Sequence, residues 1–317
     1  MEQGKDIGKA VDLIRRGRLV AIPTETVYGL AADGTNVDAV AGIFSAKKRP
    51  FFDPLILHFH DINDALPFVK SLPDIWFTLT KAFSPGPVTY VLPRTDKVPD
   101  LVTSGLDTVG IRFPRHPLTR ELLSSLDVPL AAPSANRFGY ISPTRPEHIQ
   151  RQFTDEIDYI LDGGVCDLGV ESTILDLTGD RVKVLRKGSL SLESLTSVIG
   201  YTPDVAVVSS SRPSAPGNID VHYAPRKPLY IVDFQTLELP AKAAVLAFGR
   251  NADHLHPTKR IQLSKKACTK ESATNFFAAL HTLDSDDSVD VIYCETFPET
   301  DLGPALNDRL TRAARTL

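Results

Sequence analysis

Seven short apolar segments, PLILHF, PVTYVLP, TVGIRFP, VPLAAP, YILDGG, STILDLT and RVKVLRKG, follow one another between residues 54 and 188. Each is rich in Val, Ile and Leu and is bounded by Pro, Gly, Asp or Ser, which predicts a short strand. Between them, DALPFVKSLP, FTLTKAF, LTRELLSSL and RPEHIQRQF predict helices. Strands outnumber helices but are mixed with them, so the expectation is an α+β or α/β domain around a twisted, partly antiparallel sheet. Upstream, Ile7, Ala10, Val11 and Ile14 follow the i, i+3, i+4, i+7 spacing and predict a helix over about Ile7–Arg16, with Gly17 as its C′ residue. LVAIPTETVYGLAA reads as strand, loop, strand. A second helix is predicted over about Asn36–Ala46, with Val37, Val40, Ala41 and Phe44 on one face and Thr35 or Asn36 as N-cap.

The stretch 207–227, VVSSSRPSAPGNIDVHYAPRK, is dense in Ser, Pro and Gly and predicts a linker between a domain over 1–206 and a smaller one over 228–317. In the smaller domain LYIVDF, AAVLAFG and VDVIYCETF predict strands, and SATNFFAALHTLD and ALNDRLTRAA predict helices. That alternation suggests a three-layer α/β arrangement. A chain of 317 residues has room for about two such domains. The 42 % hydrophobic and 23 % charged content is that of a soluble globular protein. A formal net charge of −4 argues against a nucleic-acid coat, though a local basic cleft stays open. No apolar run approaches the ~18 residues of a membrane span, and the start has no signal-peptide core. Cys166, Cys268 and Cys294 are far apart, which fits a reducing cytoplasm and offers neither a zinc knuckle nor a disulfide frame.

Phosphate loops of the GxxxxGK[ST] type, GxGxxG turns, GxSxG elbows and HExxH helices are all missing. The pair His58 and His60 in HFH is a weak metal hint without further ligands. Polar residues gather instead where apolar strands end. PTETVYGLAA reads equally as a turn that satisfies its own hydroxyls or as a wall of hydroxyls for a small polar ligand. In KKRP, one cation would complement the helix dipole before Pro50, yet there are three. Lys47 and Arg49 suit phosphate, and in extended backbone they share a side while Lys48 turns away. Arg112 in GIRFP is an odd residue for a core strand and must be paired, either with a ligand carboxylate or with an internal acid. Ser134 and Asn136 of APSANRFGYISPT alternate to one side. Ser172 and Thr173 precede one strand and Arg186 ends the next, as in a hairpin.

PTETVYGLAA, the K-x-R-P junction, TVGIRFP, PSAN followed by SPT, ESTILD and VLRKG occur in an order that resembles the threonylcarbamoyladenylate synthase family. HYAP and LGPALNDRLTRAA resemble the linker and C-terminal domain of its long, two-domain form. The resemblance implies a YrdC-like twisted, open mixed sheet with a concave basic cleft, followed by a small Rossmann-like α/β domain. It implies a nucleotidyltransferase that makes L-threonylcarbamoyl-AMP from L-threonine, bicarbonate and ATP, releasing pyrophosphate, for modification of the tRNA adenosine beside the anticodon. By position, Thr24, His58, Arg112 and Ser172, with the backbone at Ala132, would contact threonine. Lys47, Arg49, Thr108, Ser134, Asn136, Ser142 and Arg186 would hold ATP, with backbone around Phe51 nearby and Tyr223 reaching in from a linker that acts as a lid. Lys47 and Arg49 would carry the electrostatic part of catalysis. Mg²⁺ is expected on the ATP phosphates and not in a protein cage, and downstream transferase proteins are the expected partners, in the cytoplasm and away from membranes.

The chain departs from the family pattern at Asp53, where Asn is common, at Phe138, and in the linker between Pro216 and HYAP. The competing reading is an RNA-binding or ribosome-associated protein using the same cleft, which the acidic net charge disfavours. A carbamoyl-transfer module of hydrogenase maturation would add CxxC zinc fingers, which three isolated cysteines exclude.

Overall fold

A computed structural model describes residues 1–206 and 222–315. The expected first helix is Ile7–Arg15, begun by the Asp6 carboxylate accepting from the Lys9 amide at 2.9 Å. Gly17 follows it at φ 71°, a left-handed conformation that is open to glycine without a Cβ penalty. The second helix is Val37–Lys47, with the Asn36 side chain as its cap. Lys48 ends it, also left-handed, at φ 53°.

Eleven strands form one sheet: β1 (Glu2–Gly4), β2 (Val20–Ile22), β3 (Gly29–Asp33), β4 (Ile56–His58), β5 (Val88–Pro93), β6 (Thr108–Arg112), β7 (Leu130–Ala131), β8 (Tyr159–Leu161), β9 (Thr173–Asp176), β10 (Lys183–Arg186) and β11 (Asp204–Val205). The seven apolar segments are β4 to β10. Across the sheet the order is β1-β8-β2-β3-β7-β4-β6-β5-β9-β10-β11. Pairing is mixed: β4 with β6 and β5 with β9 are parallel, while β5 with β6 and β9 with β10 are antiparallel.

Alternation along the strands then sorts side chains between two faces. Leu57, Val109, Ile111, Leu175 and Val184 enter the largest core, with Phe44 and Trp76 from helices. Ile56, His58, Gly110 and Arg112 are left for the opposite face. Strict alternation would send Arg186 to the core beside Val184. A β-bulge shifts the register between them, and Arg186 reaches the same cavity as Ile56 and His58.

Two helical expectations need correction. DALPFVKSLP holds only the last two residues of one α-turn, Ile62–Ala65, and a 3₁₀ turn, Leu66–Phe68. Pro67 lacks an amide donor and blocks a longer helix. SLSLESLTSVIG, to which no element was assigned from sequence, holds a helix over Leu192–Ile199, capped by the Ser191 side chain and closed by Gly200.

After the linker, β12 (Leu229–Ile231), β13 (Ala243–Ala247), β14 (Lys259–Gln262) and β15 (Val291–Cys294) form a parallel sheet in the order β12-β15-β13-β14. The helices Thr269–Asp284 and Gly303–Ala313 share one apolar cluster with Ala244, Leu246, Ile292 and Cys294. The other face, carrying Val245, Ala247 and Tyr293, is covered by Phe234, Ala252 and Leu255 from irregular segments. The domain therefore has helices on one face, not the two that a three-layer arrangement requires. Pro240, Gly249 and Pro257 break the connections that would have supplied the missing layer. Residues 207–221 of the expected linker, including Pro216 and Gly217, lie outside the described residues. Among the described residues no helix is long and apolar enough to cross a membrane.

Candidate active site

On the sheet face opposite the main core, a cavity of about 40 Å³ is lined by Thr24, His58, Arg112, Ala132 and Ser172 at the positions expected for threonine. Arg49, Ser134, Arg186 and Tyr223, expected at ATP, line the same cavity. Lys47, Asn136 and Ser142 do not line the cavity: Lys47 donates to the Ser134 carbonyl and Ser142 to Glu171, while the Asn136 side chain donates to the Arg137 and Tyr140 carbonyls. Phe51 is 64 % exposed, with its ring against Phe44. Thr108 shares the face of Arg112 but sits at the other end of β6, about 13 Å along the strand.

The PTET turn satisfies its own hydroxyls and also lines the cavity. The Thr24 hydroxyl donates to the Val27 carbonyl at 2.6 Å and accepts from the Thr26 and Val27 amides, while still facing the cavity. Glu25, which no sequence argument selected, pairs with Arg112 at 2.7 Å, and both are buried. The Glu25 carboxylate also accepts from the Arg115 amide. Burial alone would raise its pKa, but the charge and hydrogen bond of Arg112 and the Arg115 amide hold it below the usual carboxylate range. Arg112 uses Nη2 for Glu25 and Thr26. Its Nε–H is buried and has no partner among the described residues. The guanidinium is thus both a structural ion pair and an open donor. His58 lies beside it, its Nδ1 donating to the Ile56 carbonyl at 3.1 Å. Burial and then the Arg112 charge push this imidazole down to about 3, so it is neutral. His60 turns instead to the Arg120 carbonyl, and among the described residues no three His, Cys, Asp or Glu gather.

At the other end, Lys47 Nζ donates to the Ser134 and Asn136 carbonyls and so ties the PSAN segment to the helix end. Burial, then Arg49, lowers its pKa well below that of a free lysine. Lys47 and Arg49 both turn inward because Lys48 between them is left-handed and exposed, not because the chain is extended there. Arg49 pairs with Asp53 at 2.8 Å and donates to the Asp53 and Pro54 carbonyls. Arg186 is held on Ser172 by Nη2 to the carbonyl at 3.0 Å and to the hydroxyl at 3.1 Å. The turn that follows passes so close that a Cβ on Gly188 would lie 2.4 Å from the Glu171 oxygen, which only glycine permits.

Two further residues close the site and were missed in the sequence. Glu171 lines the cavity and accepts from Ser142 Oγ at 2.6 Å. It also accepts from Arg309 Nε at 3.0 Å, and Arg309 comes from the last helix of the C-terminal domain with no exposure at all. Above them, His222 and Tyr223 form a strap. The His222 amide donates to the Arg312 carbonyl at 3.3 Å and the Ala224 amide to the Gly139 carbonyl at 2.9 Å. Tyr223 is left-handed at φ 66°, and its ring centre lies 5.4 Å from the Arg309 guanidinium carbon. Glu25 and Glu171 each sit within a quoted motif, PTETVYGLAA or ESTILD, and could have been weighed there. Arg309 carries no local signal, since its partner is 138 residues away.

A cavity that holds only about two or three waters but presents Arg49, Arg112 and Arg186 together is built around anions. A family model described as "Telomere recombination" matches residues 12–188, and one described as "Threonylcarbamoyl-AMP synthase, C-terminal domain" matches residues 190–315. A Bacillus subtilis protein named threonylcarbamoyl-AMP synthase is 36 % identical, over 97 % of this chain and 92 % of its own length. A Pyrococcus abyssi protein of the same name is 38 % identical, over 96 % of this chain and 93 % of its own. The crystal structure of Pyrococcus abyssi Sua5 complexed with L-threonine superposes with a TM-score of 0.89 at 35 % identity, covering 100 % of this chain and 98 % of that one.

Proposed function

The chain belongs to the threonylcarbamoyl-AMP synthase family, and we propose that its cavity joins L-threonine, bicarbonate and ATP into L-threonylcarbamoyl-AMP, releasing pyrophosphate and water. The observation that carries the reading is the buried, unpartnered Nε–H of Arg112 beside Thr24, His58 and Ser172, facing Arg49 and Arg186 across one cavity. Arg112 Nε takes the threonine carboxylate, with Ser172 and the Ala132 backbone around the rest of the amino acid. Arg49 and Arg186 take the ATP phosphates. Lys47, Asn136 and Ser142 hold the segment on which Ser134 presents itself, and Phe51 and Thr108 flank the nucleotide further out.

The carbamate of threonine attacks the α-phosphorus as pyrophosphate leaves. No covalent enzyme intermediate is needed, so the protein contributes position and charge neutralisation. Mg²⁺ arrives as part of the ATP, because the carboxylates at the cavity, Glu25 and Glu171, are already engaged by Arg112 and Arg309. ATP is far larger than the present space, so His222 and Tyr223 must swing aside to admit it and then return as a lid that keeps water from the labile carbamate. The product is a mixed anhydride that a tRNA threonylcarbamoyl-transferase in the cytoplasm consumes.

The test is pyrophosphate release from the full chain with ATP, bicarbonate and each amino acid in turn. The expected result is release that needs threonine and bicarbonate. In Arg112→Ala the KM for threonine rises by at least about tenfold, equivalent to the ~1.4 kcal/mol of one charge-assisted hydrogen bond. The KM for ATP changes little. Release indifferent to threonine overturns the reading.

A further inference from the structure

The carbamate-forming step releases a proton, and one group in the cavity is placed to take it. Threonine enters as an ammonium ion at neutral pH. Its reaction with bicarbonate balances as R–NH₃⁺ + HCO₃⁻ → R–NH–COO⁻ + H₂O + H⁺. A C–N bond forms, a C–O bond breaks to give water, and the nitrogen loses two protons, one carried off in that water and the other to an acceptor.

Most basic groups in the site are already committed. Glu25 and Glu171 are held by Arg112 and Arg309. Lys47 gives two of its three hydrogens to carbonyls, and His58 has its Nδ1 on the Ile56 carbonyl beside the Arg112 charge. The Tyr223 hydroxyl, pushed up to about 12 by burial, keeps its proton. His222 remains. It lines the cavity, is 5 % exposed, and its Nδ1 is buried without a partner among the described residues.

We propose that His222 is the proton acceptor of the carbamate-forming step, and that bound ATP switches it on. This rests on the function proposed above. The charged groups that bear on the ring are Lys47 and Arg49 from the end of the second helix, Arg186 from β10 and Arg309 from the C-terminal domain. Phe138 and Tyr223 pack edge-on against it and add no charge. Burial first, and then these four cations, hold the imidazole well below its ordinary range in the nucleotide-free protein. Triphosphate brings about four negative charges onto the same cations. Their effect on the ring is cancelled or reversed, and its basicity rises toward neutrality, where a general base works best. Carbamate therefore forms only when the ATP that will trap it is present.

Two measurements test this. First, the ring nitrogens of His222 are followed by ¹⁵N NMR across pH in the full chain, with and without the uncleavable α,β-methylene analogue of ATP. The midpoint should move up by about one unit or more on binding. No movement, or a downward one, overturns the gating. Second, His222→Gln keeps size and hydrogen bonding but cannot take a proton. Its kcat for threonine-dependent pyrophosphate release should fall by about a hundredfold. The KM values for ATP and threonine should stay within about threefold, and the residual rate should climb with hydroxide. Added imidazole should restore turnover in His222→Ala. A His222→Gln enzyme with unchanged kcat, or one impaired only in the KM for ATP, reduces His222 to a binding residue. If instead the unaltered chain releases pyrophosphate without threonine, the proposed function fails and this inference with it.

Discussion

Asp53 shows how one residue changes the meaning of its neighbours. It pairs with Arg49 at 2.8 Å, and both side chains are buried, so part of the charge that Arg49 would offer to an anion is offset inside the protein. The two backbone carbonyls that Arg49 also reaches keep it in place without that pair. Asp53→Asn should therefore release positive potential to the cavity while preserving the geometry. The expected outcome is a KM for ATP lowered by roughly tenfold, since a charge a few ångströms away in a partly screened site is worth ~1–4 kcal/mol. A raised KM would mean that the carboxylate, not the carbonyls, positions Arg49. Arg112 presents the same ambiguity in the sequence, ligand partner or internal acid. The structure shows the internal acid, Glu25 on Nη2, and leaves Nε without a partner among the described residues. Sequence alone could not choose, as the two residues are 87 positions apart.

The three cations of KKRP separate once the helix Val37–Lys47 is seen with its end. Lys48 caps it in a left-handed conformation, φ 53° and ψ 39°, which turns the chain so that Lys47 and Arg49 both face inward. A Cβ-bearing residue there costs about 1 kcal/mol against glycine. Lys48→Gly should raise Tm by roughly 2–3 °C and leave turnover unchanged, since the Lys48 side chain is exposed. A lower Tm would show that the lysine side chain itself holds the cap. The hairpin of β9 and β10 carries a second local device. Its bulge moves Arg186 from the core face to the cavity, which a reading of alternation in VKVLRK places on the wrong side.

Over the whole molecule, the C-terminal domain is built onto the catalytic one through buried polar contacts. Arg309 meets Glu171, and the rings of His148 and His281 stack with centroids 3.8 Å apart and planes 23° apart. His281 Nε2 donates to the Ser142 carbonyl and His148 Nδ1 accepts from the Thr144 amide. Burial first moves His281 down to about 4 and, with the neighbouring His281, moves His148 to about 2; Arg145, Arg151 and Asp284 are the other charged groups nearby. Both lie below the ~6.5 of an unfolded histidine. The stability of the neutral stack is thus fully present above that value. It is lost as pH falls through the folded values, because the unfolded chain binds protons that the stack refuses. His281→Phe keeps a ring without a titration, so between pH 6.5 and 4 its unfolding free energy should fall by about a few kcal/mol less than that of the natural chain, read from denaturant titrations at each pH. Parallel acid profiles would rule out the stack as the cause. The places of β4 to β10, the first two helices and the polar strand ends were legible in the sequence because alternation, caps and turn residues act within a few positions. The one-sided helix layer, the bulge at Arg186, and the meeting of Arg112 with Glu25 and of Glu171 with Arg309 were decided only by tertiary structure. Arg112 meets Glu25 because the eleven-stranded sheet brings β6 beside the turn after β2, and Glu171 meets Arg309 because the last helix packs against the first domain; neither distance along the chain nor alternation foretells such contacts.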